Sequence, residues 1–314
     1  MTAIPVPPEF SLAGDPRRHR RERRIRRVFL AAACSSIAIS LAIVISLTGE
    51  AVSFLRSVDL SSLWSSGWFP RRGQFDLRTL FVGSLIVTGV AMTIATPLGL
   101  GSAIFLSEYA SPRARRIIKP TLEILAGIPS IVVAYFAISW ISPEIVRRIR
   151  PEAPLFTLMA AGLGVGILVT PLVASITEDA LRAVPASLRE ASYGLGARKV
   201  QTSLRVVFPA AVSGIVASLI LAASRAIGET MVVALAAGGS GNSAFTTDPF
   251  RPGQTVTAAM ISIAQGTDQV AGGGGGAANT AYQSLFFLGL LLFLVTMGLN
   301  YVGDRFVRRV RERY

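Results

Sequence analysis

Glu178-Asp179-Ala180-Leu181-Arg182-Ala183-Val184-Pro185-Ala186-Ser187-Leu188-Arg189-Glu190-Ala191-Ser192-Tyr193-Gly194-Leu195-Gly196 stands between two long apolar runs and continues through Ala197 to Phe208-Pro209. Read physically, it is a short helix with a stop. Pro185 suits a helix start, Ser187 is a candidate N-cap, and Gly194 or Gly196 can end the helix. A helix this short is unstable alone in water, so it needs a surface to lie on. That surface is either lipid or protein. The small residues Ala186, Ala191 and Ser192 fit a protein groove better than lipid.

The flanking runs set the architecture. Of 314 residues, 51% are hydrophobic and 16% charged, against about a quarter charged in a soluble domain. The apolar residues fall in runs long enough to cross a bilayer, at 28–48, 80–106, 122–141, 155–176, 208–237 and 285–302. The expected fold is therefore an all-α membrane protein with six transmembrane helices. Pro97 lies inside the second run, where neighbouring helices can satisfy the freed carbonyl. Gly162 and Gly166 in the fourth have the spacing that lets helices approach closely. Residues 1–15 read as disordered, Trp64 and Trp68 as an interfacial segment, and Gly272 to Gly276 as a flexible linker.

The formal net charge of +13 is confined to the segments between runs. Eight arginines fall within 17–27. Arg113, Arg115, Arg116 and Lys119 follow the second run, Arg182, Arg189, Arg198, Lys199 and Arg205 the fourth, and Arg305 to Arg313 the last. The other side holds fewer, among them Arg56, Arg78, Arg147, Arg148, Arg150 and Arg251. The positive-inside rule then places both termini in the cytoplasm of a bacterial inner membrane. The expected division is a cytoplasmic tail at 1–27, a first transmembrane helix at 28–48, an extracytoplasmic loop at 49–78, a transmembrane core at 79–303 and a second tail at 304–314. Arg147, Arg148 and Arg150 run against the rule. Membrane topology accounts for the charge, and nucleic-acid binding is not expected.

Two targeting motifs fail in context. Arg26-Arg27-Val28-Phe29-Leu30 resembles a twin-arginine signal and Ala31-Ala32-Ala33-Cys34 a lipoprotein site, but Cys34 precedes any apolar core. An uncleaved first helix is the expectation. Catalytic chemistry is equally hard to build. The chain has one histidine, His19, and one cysteine, Cys34. Its two lysines, Lys119 and Lys199, lie outside any Gly-Lys-Ser/Thr phosphate loop. No cofactor or metal is implied, and energy from ATP must come from another chain.

Glu190-Ala191-Ser192, three residues, Gly196, nine residues and Val206-Val207-Phe208-Pro209 resemble the signature of the binding-protein-dependent ABC permease family, with Ser192, Val206 and Phe208 as mild departures. Thr96-Pro97-Leu98-Gly99, Ser107-Glu108-Tyr109, Ala126-Gly127-Ile128-Pro129-Ser130 and Arg225-Ala226-Ile227-Gly228-Glu229-Thr230-Met231 are similar to the phosphate branch, and to its PstC-type subunit. The resemblance implies a MetI-like importer permease core. It implies that Glu190, Ala191, Gly196 and Pro209 belong to a coupling helix docked on a PstB-type ATPase dimer. It further implies a second, PstA-type permease and an extracytoplasmic, PstS-type phosphate-binding protein. Other oxyanions (sulfate, molybdate, phosphonate) are the alternative cargo, and a stand-alone secondary transporter the alternative class.

Arg225 and Glu229 stand out independently. A charge at the bilayer centre costs about 2.5–3.5 kcal/mol on insertion scales, so such residues usually face a protein interior or an aqueous path. At i and i+4 on one helix they can pair with each other. Alternatively, Arg225 offers its planar donor fork to a phosphate oxyanion. Both roles stay open from the residues. The phosphate-branch resemblance favours the second, with Arg225, Glu229 and Thr230 along the substrate path.

Overall fold

The computed structural model describes residues 16–64, 67–239, 243–266 and 276–310. The chain divides into two units, Met1–Gly49 and Glu50–Tyr314. The sequence readings for residues 1–15 and for Gly272 to Gly275 lie outside the described residues.

The first unit carries most of helix α1 (Pro16–Ser57). Helix begins inside the basic stretch rather than at the apolar run. Arginine is a good helix former, so the backbone has no reason to wait for the first apolar residue. Ile37 and Ile45 are exposed, as apolar residues of a membrane-length helix can be when lipid covers them.

In the second unit, α2 (Leu77–Ile104) is capped by Asp76, whose carboxylate accepts from Arg78 N–H at 3.0 Å and Thr79 Oγ1 at 2.6 Å. It continues through Pro97 and ends in a π-helical turn, Phe105–Tyr109. Next come α3 (Pro112–Ala126), α4 (Ser130–Phe136), a π-helical stretch (Ala137–Val146) and α5 (Arg147–Ile149). The reading of one span over 122–141 is thus corrected. Gly127-Ile128-Pro129 interrupts the helix, because a residue before proline is pushed out of the helical region. The membrane-length helix is Ser130–Ile149. Helix α6 (Leu158–Arg182) packs on α2 through its glycines. A Cβ on Gly162 would sit 2.7 Å from Val90 Cβ, and one on Gly166 3.0 Å from the Ala91 carbonyl oxygen. The small-residue spacing does serve helix packing.

Beyond α6 lie α7 (Ala186–Gly194), α8 (Lys199–Thr202), a π-helical turn (Ser203–Val207), α9 (Phe208–Ala210) and α10 (Val212–Ile227). Helices α11 (Met231–Ala236), α12 (Val256–Ala264) and α13 (Gly276–Val310) complete the unit. The reading of one unbroken span over 208–237 is corrected as well. The Lys199–Ala210 segment meets α10 at 70°, and residues 228–230 separate α10 from α11. Among the described residues, five helices are long and apolar enough to cross a membrane, or six with the bent pair counted as one span.

A small sheet joins the all-α framework: β1 (Gly67–Phe69), β2 (Gln74–Phe75) and β3 (Ser243–Ala244), antiparallel in the order β2-β1-β3. Trp68 is fully buried beside Phe75, with ring centroids 5.6 Å apart, and Phe54 stacks on Phe287 at 5.1 Å. Trp68 is therefore a core residue rather than an interfacial one, whereas Trp64 is exposed.

Candidate coupling and translocation site

The loop after α6 is held on one face and bare on the other. Leu181 and Val184 bury against Ala103, Val207, Ala211 and Ile215. Pro185 occupies the position before the helix, with φ −55° and ψ 139°. Its ring fixes φ and it carries no N–H to satisfy. Ser187 therefore falls inside the first turn and makes no capping bond, correcting its reading as the N-cap. No residue of α7 is buried, and Glu190, Ala191, Tyr193, Gly194 and Leu195 are exposed, Leu195 at 90%.

The helix stop is specific. Ala197 N–H donates to Ser192 O at 3.2 Å and Gly196 N–H to Tyr193 O at 2.9 Å. This is the paired-bond pattern that closes helices through a left-handed residue. Gly196 has φ +79°, a conformation glycine adopts at little cost.

Two side-chain links anchor α7. Arg189 donates through Nη1 to Val184 O at 2.7 Å, and through Nη2 to Leu181 O at 2.8 Å and Glu108 Oε1 at 2.9 Å. Glu108 belongs to the π-helical end of α2, so the pair ties α7 to a membrane-length helix. Ser192 Oγ lies 2.9 Å from Thr202 Oγ1. Pro209 lacks the N–H of a regular turn, and the backbone before it adopts the wider π register.

Just before this loop, fully buried Glu178 accepts from Arg115 Nε at 2.8 Å and Lys119 Nζ at 2.6 Å. Lys119 also pairs with Asp179. Burial opposes its charge, yet hydrogen bonds to Asp179 and Glu178 hold the ammonium above its ordinary pKa.

Arg225, Glu229 and Thr230 sit at the break after α10. Arg225 is on the last turn of α10 and is exposed. No ion pair joins it to Glu229 or to any other acid among the described residues. The helix stops at Ile227, so the i,i+4 alignment expected from the sequence does not form. Glu229 turns instead toward α11, with Oε1 3.4 Å from Val232 N–H, and its carbonyl accepts from Thr257 Oγ1 at 2.8 Å. Thr230 Oγ1 donates to Gly228 O at 3.0 Å. The break is thus pinned by α12, while the guanidinium remains available.

The structure gathers Arg225, Glu229 and Thr230 at one break and Glu190, Ala191 and Gly196 on one exposed loop, with Pro209 at the bend that follows. Sequence reasoning missed Arg189, Glu108 and Glu178. The available signal for Glu178 was an acid closing an apolar run with Arg182 four residues on.

Five to six membrane-length helices among the described residues, with a short exposed helix between two of them, define a multi-pass membrane protein. The chain belongs to the family described as binding-protein-dependent transport system inner membrane component, whose sequence profile matches residues 95–313. It is 30% identical over 324 residues to phosphate transport system permease protein PstC of Mesorhizobium japonicum, covering 94% of this chain and 96% of that one. It is 40% identical over 186 residues to phosphate transport system permease protein PstA 1 of Mycobacterium tuberculosis, covering 58% of this chain and 59% of that one. A solved bacterial ABC transporter involved in import of the acidic polysaccharide alginate has the same fold. Its TM-score is 0.61 over 93% of this chain and 100% of that one, at 15% identity.

Proposed function

We propose that the chain is the PstC-type permease subunit of an ABC importer that moves inorganic phosphate across the bacterial inner membrane, with both termini cytoplasmic. The observation that carries this reading is Arg225, a guanidinium on a membrane helix with no acidic partner among the described residues. A purely structural charge would be neutralised, since leaving it bare in a bilayer is costly. A free planar fork is suited to bind an oxyanion bidentately as it passes. The relatives matched end to end, named as phosphate permeases, support phosphate as the cargo.

In this reading α7 docks on a PstB-type ATPase, which hydrolyses ATP. A PstA-type permease covers the exposed side of α10, and a PstS-type protein delivers phosphate from outside. The reading keeps a cytoplasmic tail at 1–27, a membrane-crossing part of α1 at 28–48, an extracytoplasmic loop at 49–78, a core at 79–303 and a second tail at 304–314 as its proposed division. The test is radiolabelled phosphate uptake in cells, normalised to assembled complex. Arg225→Gln is expected to reduce uptake to background with assembly intact, and adding Glu229→Gln is expected not to restore it. Arg225→Lys should rescue poorly, because an ammonium lacks the fork. Wild-type uptake by the doubly neutral variant would leave Arg225 a structural role only.

A further inference from the structure

A cavity of about 560 Å3 opens between the π-helical end of α2, α3 and the last turn of α6. Arg115, Arg116, Lys119 and Arg182 line it, with Glu123 as the carboxylate on its wall. Behind the wall, Glu178 and Asp179 engage Lys119, and Glu178 engages Arg115 through Nε alone. The terminal amino groups of Arg115 and the guanidinium of Arg116 make no hydrogen bond among the described residues. Arg182 comes no nearer to Glu178 than 3.9 Å. Three guanidinium groups thus keep donors free around one space.

Helix α3 is also packed inside out. Its polar side, through Arg115 and Lys119, meets α6, while Ile117 and Ile124 are 70% and 73% exposed and no residue of α3 is buried. The bare isoleucines share their side of the helix with exposed Arg113, a mixed apolar and basic surface that suits a helix lying at a membrane surface. Clusters of this kind attract anionic headgroups.

We propose that this cavity binds a phosphate group, supplied by the headgroup of an anionic phospholipid. Inorganic phosphate offers the same oxygens, but the cavity has the volume of a site for a larger ligand, in the range of roughly 300–1,000 Å3. Ile117 and Ile124 give the acyl chains a surface beside it. The proposal is independent of what the permease transports.

The test is native mass spectrometry of the full chain in mild detergent, titrated with phosphatidylglycerol or with zwitterionic phosphatidylcholine. The wild type is expected to retain phosphatidylglycerol selectively. Arg116→Gln/Arg182→Gln is expected to lower that retention by about tenfold, with circular dichroism unchanged. Arg116→Gln alone, at a residue without an ion pair among the described residues, serves if the double variant misfolds. Equal retention by variant and wild type, or no preference over phosphatidylcholine, overturns the site. A second arm measures radiolabelled inorganic phosphate binding in an Arg225→Gln background. Phosphate binding lost in Arg116→Gln/Arg182→Gln, without selective lipid retention, overturns the lipid as the source.

Discussion

Gly196 carries a constraint that no neighbour imposes. A Cβ there would meet nothing within 4 Å, so the obstacle to a side chain is its φ of +79° alone. Gly196→Ala should therefore cost about 1 kcal/mol at the end of α7, and Gly196→Asn less, because asparagine tolerates the left-handed region. Gly194→Ala is the control: that residue is helical, with equally open space. The measurement is ATPase co-purification with uptake in cells. If Gly196→Trp, which adds bulk to the same turn, preserves both, α7 is not a coupling helix. From sequence either glycine could have been the stop. Choosing between them requires the paired bonds from Ala197 and Gly196, which residue types do not reveal. Arg225 shows a complementary gap. Its spacing from Glu229 implied a pair only if the helix continued through Gly228, and local spacing carries no information about a break pinned by Thr257.

Among elements, the link from α7 to α2 rests on one guanidinium. Arg189 is 20% exposed and Glu108 5%, and Arg189 also satisfies the carbonyls of Leu181 and Val184. Arg189→Ala would leave the nearly buried Glu108 carboxylate without its cation, still accepting from Ser107 Oγ at 2.9 Å, at a cost of about 3 kcal/mol. The expected result is a lower unfolding temperature in detergent, and loss of uptake while the chain still inserts. Arg189→Met with Glu108→Met should be less destabilising than Arg189→Ala alone, since both charges leave together. Uptake should stay low in that double variant if the ionic link transmits movement, and return if it only holds the fold. The two residues are 81 positions apart, which is why periodicity could not pair them. Element boundaries were legible where chemistry is local: Gly127-Ile128-Pro129 contains its own stop signal. The nine-residue α12 was not legible. It is too short to register as a span and lies among glycine- and proline-rich segments that read as loop.

For the whole molecule, the number of membrane helices was legible because bilayer thickness imposes length and apolarity on each. The bend at Ala211 and the burial of Trp68 were not, since both depend on segments remote in sequence packing together. Neither lysine of the sequence stands in a Gly-Lys-Ser/Thr phosphate loop, and the structure gives each another setting. Lys119 pairs with Glu178 and Asp179, and Lys199 lies 5.0 Å from the Tyr109 ring centroid. Lys119 is followed by Pro120 and Lys199 stands between Arg198 and Val200, so neither has the glycine before it and the Ser or Thr after it that such a loop requires. A phosphate cradle needs successive backbone N–H groups converging on the nucleotide, with a lysine reaching the same phosphates. The chain purified alone in mild detergent is therefore expected to hydrolyse ATP no faster than a detergent blank. Purified from its own cells under the same conditions, it should bring down an ATPase whose activity is lost together with the contact in Gly196→Trp. Sustained hydrolysis by the isolated chain, surviving removal of trace ATPase by a second chromatographic step, would overturn the proposed division of labour in which a partner ATPase supplies the energy through α7.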